Sequence, residues 1–303
     1  MHPSPPADRQ VVPTPLDDDL LRSWPLPLDE HGDKRARGTV LVIAGSATTA
    51  GAALLAGTAA LRMGAGRLQI ATAAPVATGL SIAMPEAMVL ALPDSHDPQF
   101  SQDLVSTLSE HICGAQAVLV GPGLAGPESI RDIVDLVTEQ LASDAVLVAD
   151  AAALEAVSAL DHGARKRIAS RLLLTPNRDE MQELINSLGL HDATDQAMAA
   201  ARELGAVITC FADVTSHDDR RWRAKPATPG LGTSGSGDVL AGLAAGAAAR
   251  CGDPAQAACW ATLVHGSAGN RLSERLGTTS FIARELLEEV PRLLARFDQG
   301  ASG

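Results

Sequence analysis

Between Thr228 and Leu243 the chain reads TPGLGTSGSGDVLAGL, with Gly230, Gly232, Gly235 and Gly237 leading directly into an apolar helical run. Glycines let the backbone approach a ligand closely and take positive φ. Successive N–H groups at a helix start, with the helix dipole behind them, form a cradle for an anion such as a nucleotide phosphate. The N–H groups of Gly235, Ser236 and Gly237, with Thr233 beside them, are the candidate phosphate ligands. Asp238 falls where a transferring phosphoryl group would be held, so its carboxylate could take a proton from an attacking hydroxyl. An Asp in a first helical turn is also a favourable cap, and both readings fit the spacing.

These residues must be positioned by a larger frame, and the pattern around them alternates. Short β-branched or aliphatic runs at 39–44, 67–72, 117–120, 145–149, 172–175 and 206–209 read as buried strands. Helical patterns follow at 52–63, 127–142, 151–160, 178–187 and 195–204, with three more helices near 237–250, 254–272 and 283–296. Asp218-Asp219, between two short strands within 213–224, reads as a hairpin. This alternation predicts a single α/β domain, with a mostly parallel central sheet covered by helices on both faces. The expected domain spans 31–298. Residues 1–30, dense in proline, read as a flexible lead with little regular structure, and 299–303 as a frayed tail.

Ligands of such sheets bind beyond the carboxyl ends of the strands. Five strand ends here are glycine-rich or polar: Gly45-Ser46, Gly121–Gly123, Asp150, Thr175–Glu180 and Gly230–Asp238. Gly121–Gly126 spells GxGxxG after a strand. It follows two earlier strand–helix passes, however, and Pro127 rather than the loop starts its helix, so a dehydrogenase fingerprint is not read there. Asp150 either orients the phosphate side of a site or caps a helix. Within Thr175–Glu180, Asn177 or Asp179 could cap the helix that follows. His265, in an apolar helix without a second metal-type ligand at useful spacing, reads as a core histidine.

Composition excludes several classes. The net charge is −12, which opposes nucleic acid and anionic membranes. With three Trp, four Phe and no Tyr, the chain cannot build a base-stacking surface. Cys113, Cys210, Cys251 and Cys259 form no CxxC pair, so no zinc site or other resident protein-held metal is expected. The apolar runs are too short and too rich in Ala and Gly to span a bilayer. No signal peptide is read in the polar, Pro-rich start, so a cytoplasmic protein with reduced cysteines is expected. The many Ala/Gly helix faces would permit close self-association.

GTSGSGDVLAGL (232–243) resembles the anion-hole and catalytic-Asp motif of ribokinase-like enzymes. Further segments resemble one branch of that superfamily, the ADP- or ATP-dependent NAD(P)H-hydrate dehydratases: GTVLVIAGSATTAGAALLAGTAALRMGAGRLQIAT (38–72), VLVGPGLAG (118–126), VLVADAAAL (146–154), LLLTPNRDEM (172–181), VHGSAGN (264–270) and ARELLEEVPRLLARF (283–297). They lie in the family's order over about residues 38–297. The resemblance implies a ribokinase-like fold and repair of the S-epimer of hydrated NADH or NADPH. In that reaction ADP (or ATP) phosphorylates the ring hydroxyl, phosphate then leaves, and NAD(P)H is restored with release of AMP (or ADP). It further implies Asp238 as base, an anion hole of Gly235, Ser236 and Gly237, and Asp213 reaching the nucleotide. Ala52, Gly123, Asn177, Glu180 and Asp238 would contact the dinucleotide. Simple close packing is an equal reading for Ala52 and Gly123. Mg²⁺ would accompany the nucleotide, and a homo-oligomer is implied.

The chain departs from the family at two places. The Lys-Gly pair expected after the strand 206–209 is replaced by Cys210 and Phe211, and Ser234 replaces a usual glycine. Lysine supplies a mobile point charge to phosphate, which neither replacement can do. Lys225, just ahead of the glycine turn, is the sequence's candidate substitute. Two further readings stay open: a ribokinase-like kinase of a small hydroxymethyl vitamin precursor, and a catalytically weak nucleotide-binding sensor.

Overall fold

The structure is a computed structural model that describes residues 12–28, 34 and 36–298. In chain order its elements are β1 (Thr14–Leu16), α1 (Asp18–Ser23), β2 (Thr39–Ile43), α2 (Ala50–Arg62), β3 (Arg67–Ala73), α3 (Ala74–Ala83), β4 (Ala87–Leu92), α4 (Phe100–Gly114), β5 (Ala117–Val120), α5 (Pro127–Gln140), β6 (Val146–Ala149), α6 (Ala152–Ser158), α7 (His162–Ile168), β7 (Leu172–Leu174), α8 (Arg178–Ser187), α9 (Gln196–Leu204), β8 (Ala206–Cys210), β9 (Asp213–Ser216), β10 (Arg221–Ala224), α10 (Ser236–Cys251), α11 (Pro254–Leu276) and α12 (Ala283–Asp298). A short 3₁₀ turn, Pro229–Leu231, precedes α10.

All ten strands join one sheet in the order β1-β10-β9-β8-β7-β6-β5-β2-β3-β4. Every pairing is parallel except the two made by β9, so β9 alone runs against the rest. The chain leaves β2 toward β4 on one side and returns to β5 on the other. β2 and β5 are therefore neighbours at the point where the strand order reverses, the place where ligands of such sheets bind.

Alternating residues feed two cores. Val40 and Val42 face one layer with α2, α10, α11 and α12, whereas Leu41 and Ile43 face the other with α4 to α9. The strands carry apolar residues on both faces, as a buried parallel sheet requires. The first layer is assembled from small residues. A methyl added at Gly242 of α10 would lie 2.2 Å from Ala56 O of α2, and one at Gly246 2.5 Å from Ala60 O, so these two helices touch backbone to backbone.

The lead is not structureless where it is described. β1 pairs with β10, and α1 is capped by Asp17, whose side chain accepts from the Asp19 and Leu20 N–H groups. Trp24 O accepts from Trp260 Nε1 at 2.8 Å and from Gln256 Nε2 at 2.9 Å, while its ring leans on Trp222. Proline density signals an irregular backbone but carries no information about such distant anchors. The segment α3–β4–α4, left without elements in the sequence reading, completes one edge of the sheet. The expected tail 299–303 and residues 1–11 and 29–33 lie outside the described residues.

Candidate functional site

The glycine turn arrives at α10 through contacts that only glycine permits. A methyl at Gly230 would sit 1.9 Å from Thr278 O. Gly235 is left-handed at φ 87°, and a methyl there would meet Leu55 Cδ1 at 2.6 Å. No side chain caps α10. The Val239 N–H begins the helix ladder on Gly235 O, and the Ser236 N–H donates to Thr233 O at 3.2 Å. Among the described residues, the N–H groups of Gly235, Gly237 and Asp238 have no acceptor in the protein. Such groups at a helix start are satisfied by water or a ligand. A methyl built at Gly237 finds no atom within 4 Å, so this part of the turn faces open space.

Asp238, in the first turn of α10, is half-buried, and burial raises its carboxyl above the usual range. Asp150 directly follows β6 and is only 5% exposed. Its Oδ1 accepts from Thr175 Oγ1 at 2.7 Å. Burial pushes Asp150 up to about 7; the Thr175 hydrogen bond opposes the rise, and the charges of Glu180 and Asp238 add to it. The backbone is drawn tight here: Ala151 has φ 47°, and a methyl at Gly121 would lie 1.8 Å from Asp150 O. Glu180 is raised mainly by burial, with Glu183, Asp179 and Asp238 contributing and a hydrogen bond from the Asn177 N–H opposing. Three carboxylates, one just past β6 and the others on α8 and α10, thus share one electrostatic environment beyond the carboxyl edge of the sheet.

Asn177 and Glu180 cap α8 reciprocally. Asn177 Oδ1 accepts from the Asp179 and Glu180 N–H groups, and Glu180 Oε2 accepts from the Asn177 N–H at 2.8 Å. The capping option open in the sequence is therefore the one used, and it holds the Glu180 carboxylate at the helix start. Beyond the ends of β2 and β5, the Gly45 N–H donates to Pro122 O at 2.8 Å and Thr49 Oγ1 donates to Gly123 O at 2.6 Å. A methyl at Gly123 would lie 2.7 Å from Ala52 Cβ. Ala52 and Gly123 accordingly meet by close packing, which brings the loops after β2 and β5 together.

One expectation is corrected and another sharpened. Asp213 is not in a loop but opens β9, and its carboxylate is held by Arg223 Nε at 2.6 Å with Arg221 Nε at 3.7 Å. His265 is buried and hydrogen-bonded, in keeping with its reading as a core histidine, and its partner is in the glycine turn: Nε2 lies 3.0 Å from Ser236 Oγ and 3.1 Å from Ser236 O. Its helical surroundings looked apolar because the polar partner comes from another helix.

At the end of β8, Cys210 is a thiol pushed up to about 11 by burial. Phe211 takes φ 56° and is 62% exposed. The Arg178 guanidinium stands 5.0 Å over its ring. Arg178 is therefore the cation at this corner, and the sequence reading missed it because the two residues are far apart in the chain. Lys225 is exposed just past β10. Among the described residues no three His, Cys, Asp or Glu side chains cluster as a metal cage, and no helix is long and apolar enough to cross a membrane.

The fold is that of the ribokinase-like superfamily. A ribokinase-like protein from Enterococcus faecalis superposes with a TM-score of 0.81 at 21% identity, covering 97% of this chain and 99% of that one. The ADP/ATP-dependent NAD(P)H-hydrate dehydratase of Bacillus subtilis, co-crystallised with ATP/Mg²⁺, superposes at 0.77 with 27% identity over 95% of this chain and 100% of that one. A sequence model of the NAD(P)H-hydrate dehydratase family matches residues 40–292. The ADP-dependent (S)-NAD(P)H-hydrate dehydratase of Xanthomonas campestris is 41% identical over 92% of this chain and 96% of that protein. The chain belongs to the NAD(P)H-hydrate dehydratase family. It spans about half the length of the bifunctional NAD(P)H-hydrate repair enzymes it also matches, such as that of Moorella thermoacetica, which is 32% identical over 92% of this chain and 54% of that protein.

Proposed function

We propose that this chain dehydrates the S-epimer of hydrated NADH or NADPH, using ADP as phosphoryl donor. The observation that carries the reading is Asp238: a half-buried carboxylate whose pKa burial raises, set beside free N–H groups at the start of α10. A base with a raised pKa is better matched to removing a hydroxyl proton near neutral pH. In the first step the ring C6 hydroxyl oxygen bonds to the terminal phosphorus of ADP, Asp238 takes the hydroxyl proton and the P–O bond to AMP breaks. Hydroxide is a poor leaving group and phosphate a good one, so the C6–O bond then breaks with phosphate departing. Loss of the neighbouring C5 proton restores the ring double bond. The protein's contribution is positioning and charge stabilisation: the free N–H groups of Gly235, Gly237 and Asp238, with Thr233, face the transferred phosphoryl group, whereas the Ser236 N–H, expected among them, is already given to Thr233 O. Ala52, Gly123, Asn177 and Glu180 shape the dinucleotide side, and Arg178 supplies charge near the nucleotide, where Asp213 is already paired.

Mg²⁺ fits the donor set. The available groups are hard carboxylate oxygens without a protein-only cage, which suits an ion carried on nucleotide phosphates and water. Asp150 and Glu180 would hold it through its hydration shell, and its chemistry would be neutralisation of phosphate charge. A cytoplasmic homo-oligomer is part of the same reading.

The test mixes the protein with hydrated NADH, Mg²⁺ and either ADP or ATP, and follows recovery of the reduced-nicotinamide absorbance. Recovery that is lost in Asp238→Asn supports the reading. Phosphorylation of another alcohol without recovery would make the chain a kinase, and nucleotide binding without turnover would make it a sensor.

A further inference from the structure

Helix α11 bears on the glycine turn through one face. His265 Nε2 reaches Ser236; a methyl at Gly269 would meet Leu231 Cδ2 at 2.7 Å; Asn270 Oδ1 accepts from the Thr228 N–H at 2.8 Å; and Thr228 Oγ1 donates to Ser273 Oγ at 3.1 Å. Residues 265, 269, 270 and 273 recur at helical spacing, so one rigid element measures out the turn from Thr228 to Ser236. The turn needs such a guide. It has glycine at four of its positions and no side-chain cap at the helix it enters, and glycine loses the most conformational freedom on being fixed.

The His265 contact also settles where a hydrogen sits. Ser236 O can only accept, and at 3.1 Å it faces the same ring nitrogen that lies 3.0 Å from Ser236 Oγ. A bare Nε2 lone pair would be repelled by that carbonyl, so Nε2 carries the hydrogen and donates to Ser236. Burial lowers the His265 pKa to about 4, so the ring is neutral at physiological pH and Nδ1 is the unprotonated nitrogen. Because Nε2–H is the donor, the Ser236 hydroxyl accepts from the ring and keeps its own hydrogen for another acceptor.

We propose that His265 is a positioning residue for phosphoryl transfer: its Nε2–H fixes Ser236 so that the anion-hole backbone is held in place and the Ser236 hydroxyl hydrogen is left to donate to a phosphoryl oxygen. The inference rests on the reading that this turn holds the transferred group. It makes Ser236 a donor through its side chain, since its N–H is already given to Thr233 O.

The test compares His265→Leu, His265→Gln and Ser236→Ala with the wild-type chain, measuring kcat, KM for ADP and for hydrated NADH, ADP affinity by calorimetry, and Tm. Loss of a single oxyanion-hole donor typically costs about 10²–10³-fold in kcat. For His265→Leu, which loosens such a donor rather than deleting it, a fall of at least ten-fold in kcat is expected, with KM for hydrated NADH within two-fold. His265→Gln, which keeps an N–H donor on a side chain of similar reach, restores at least a third of the rate. Ser236→Ala falls in kcat, and adding His265→Leu to it costs less than it does in the wild-type chain. The proposal is overturned if His265→Leu keeps its kcat within two-fold, or if its loss follows a fall in Tm and Gln restores Tm without restoring rate. A wild-type chain that binds ADP but never restores NADH absorbance would instead sink the dehydratase reading. His265→Leu would then be compared by ADP affinity alone, and an unchanged affinity would overturn the positioning role too.

Discussion

Gly242→Ala adds one methyl where α10 crosses α2. Its carbon would lie 2.2 Å from Ala56 O and 2.7 Å from Ala59 Cβ, whereas ordinary contact begins near 3.4 Å. The nearer atom is backbone and cannot rotate away, so the helices must part by about 1.2 Å along that contact. Overpacking of this kind costs about 3 kcal/mol at the upper end of its usual range, and alanine's better helix propensity returns about 1 kcal/mol. The net loss of about 2 kcal/mol lowers Tm by roughly 4–8 °C. One turn up the same helix lies Asp238, and Leu55 of α2 touches Gly235, so the displacement reaches the anion hole; misplacement by about 1 Å can cost about 10²-fold in rate. Gly237→Ala is the matched control. It adds the same methyl on the same helix into open space. It should leave Tm unchanged or slightly raised while lowering activity, because in the proposed reading that space takes the nucleotide phosphates. Scanning calorimetry and the NADH-recovery assay on both variants read the two effects separately. If Gly242→Ala kept wild-type Tm and rate, the backbone-to-backbone crossing would not be what sets the position of Asp238.

Asp238→Asn should lower kcat by about 10²–10⁴-fold while ADP still binds by calorimetry; in the wild-type chain the rate should fall as pH drops through the raised pKa of Asp238, since only the carboxylate can accept the proton. Asp150 is raised from 3.8 to about 7. Between those values the folded state holds a proton that the unfolded state has released, so this group's contribution to stability falls as pH rises through that window. Asp150→Asn should therefore raise Tm at pH 8 relative to the wild-type chain and change it little at pH 4, in calorimetric scans at the two pH values. Arg178→Ala should raise KM for ADP at least three-fold and Lys225→Ala less than two-fold, by initial rates; the reverse order would show that the exposed lysine, and not the cation over Phe211, serves the nucleotide.

What was legible in the sequence follows the range of each signal. The glycine turn and Asp238 were readable because their chemistry is local: a run of glycines, a helix start and a carboxylate lie within nine consecutive residues. The buried strands 39–43, 117–120 and 146–149 were readable because continuous aliphatic runs between turn residues have few other meanings. Asn177 and Glu180 were singled out by resemblance to the family segment, and the capping box that joins them was not read, although its three-residue spacing is local. β1 and α1 were invisible because Trp24, Gln256 and Trp260 are brought together only by the fold. The partner of His265 was invisible on the same ground: helical periodicity reports how much of a helix face is apolar, and says nothing of a serine supplied by the helix opposite. The segment α3–β4 gave no pattern because β4, at the sheet edge, is covered on one face only in part and lacks the clean alternation of a strand with one wet side.

Among the described residues the two buried clusters lie on opposite faces of the sheet, and the site is divided between them. Asp238 and the free N–H groups stand at the start of α10, packed in the layer with α2 and α11, whereas Thr175 just past β7, Asn177 capping α8 and Glu180 within it lie on the side of the layer formed by α4 to α9. Asp150 directly follows the strand between, and it senses the charge of both Glu180 and Asp238. Neither half can be brought into register by its own helices, since each rests on a separate core. What aligns them is the pairing of β5, β6 and β7, whose carboxyl ends finish at Val120, Ala149 and Leu174 in direct register. A parallel sheet puts all its strand ends on one edge, so three carboxylates distant in sequence converge there without any helix having to reach across the fold.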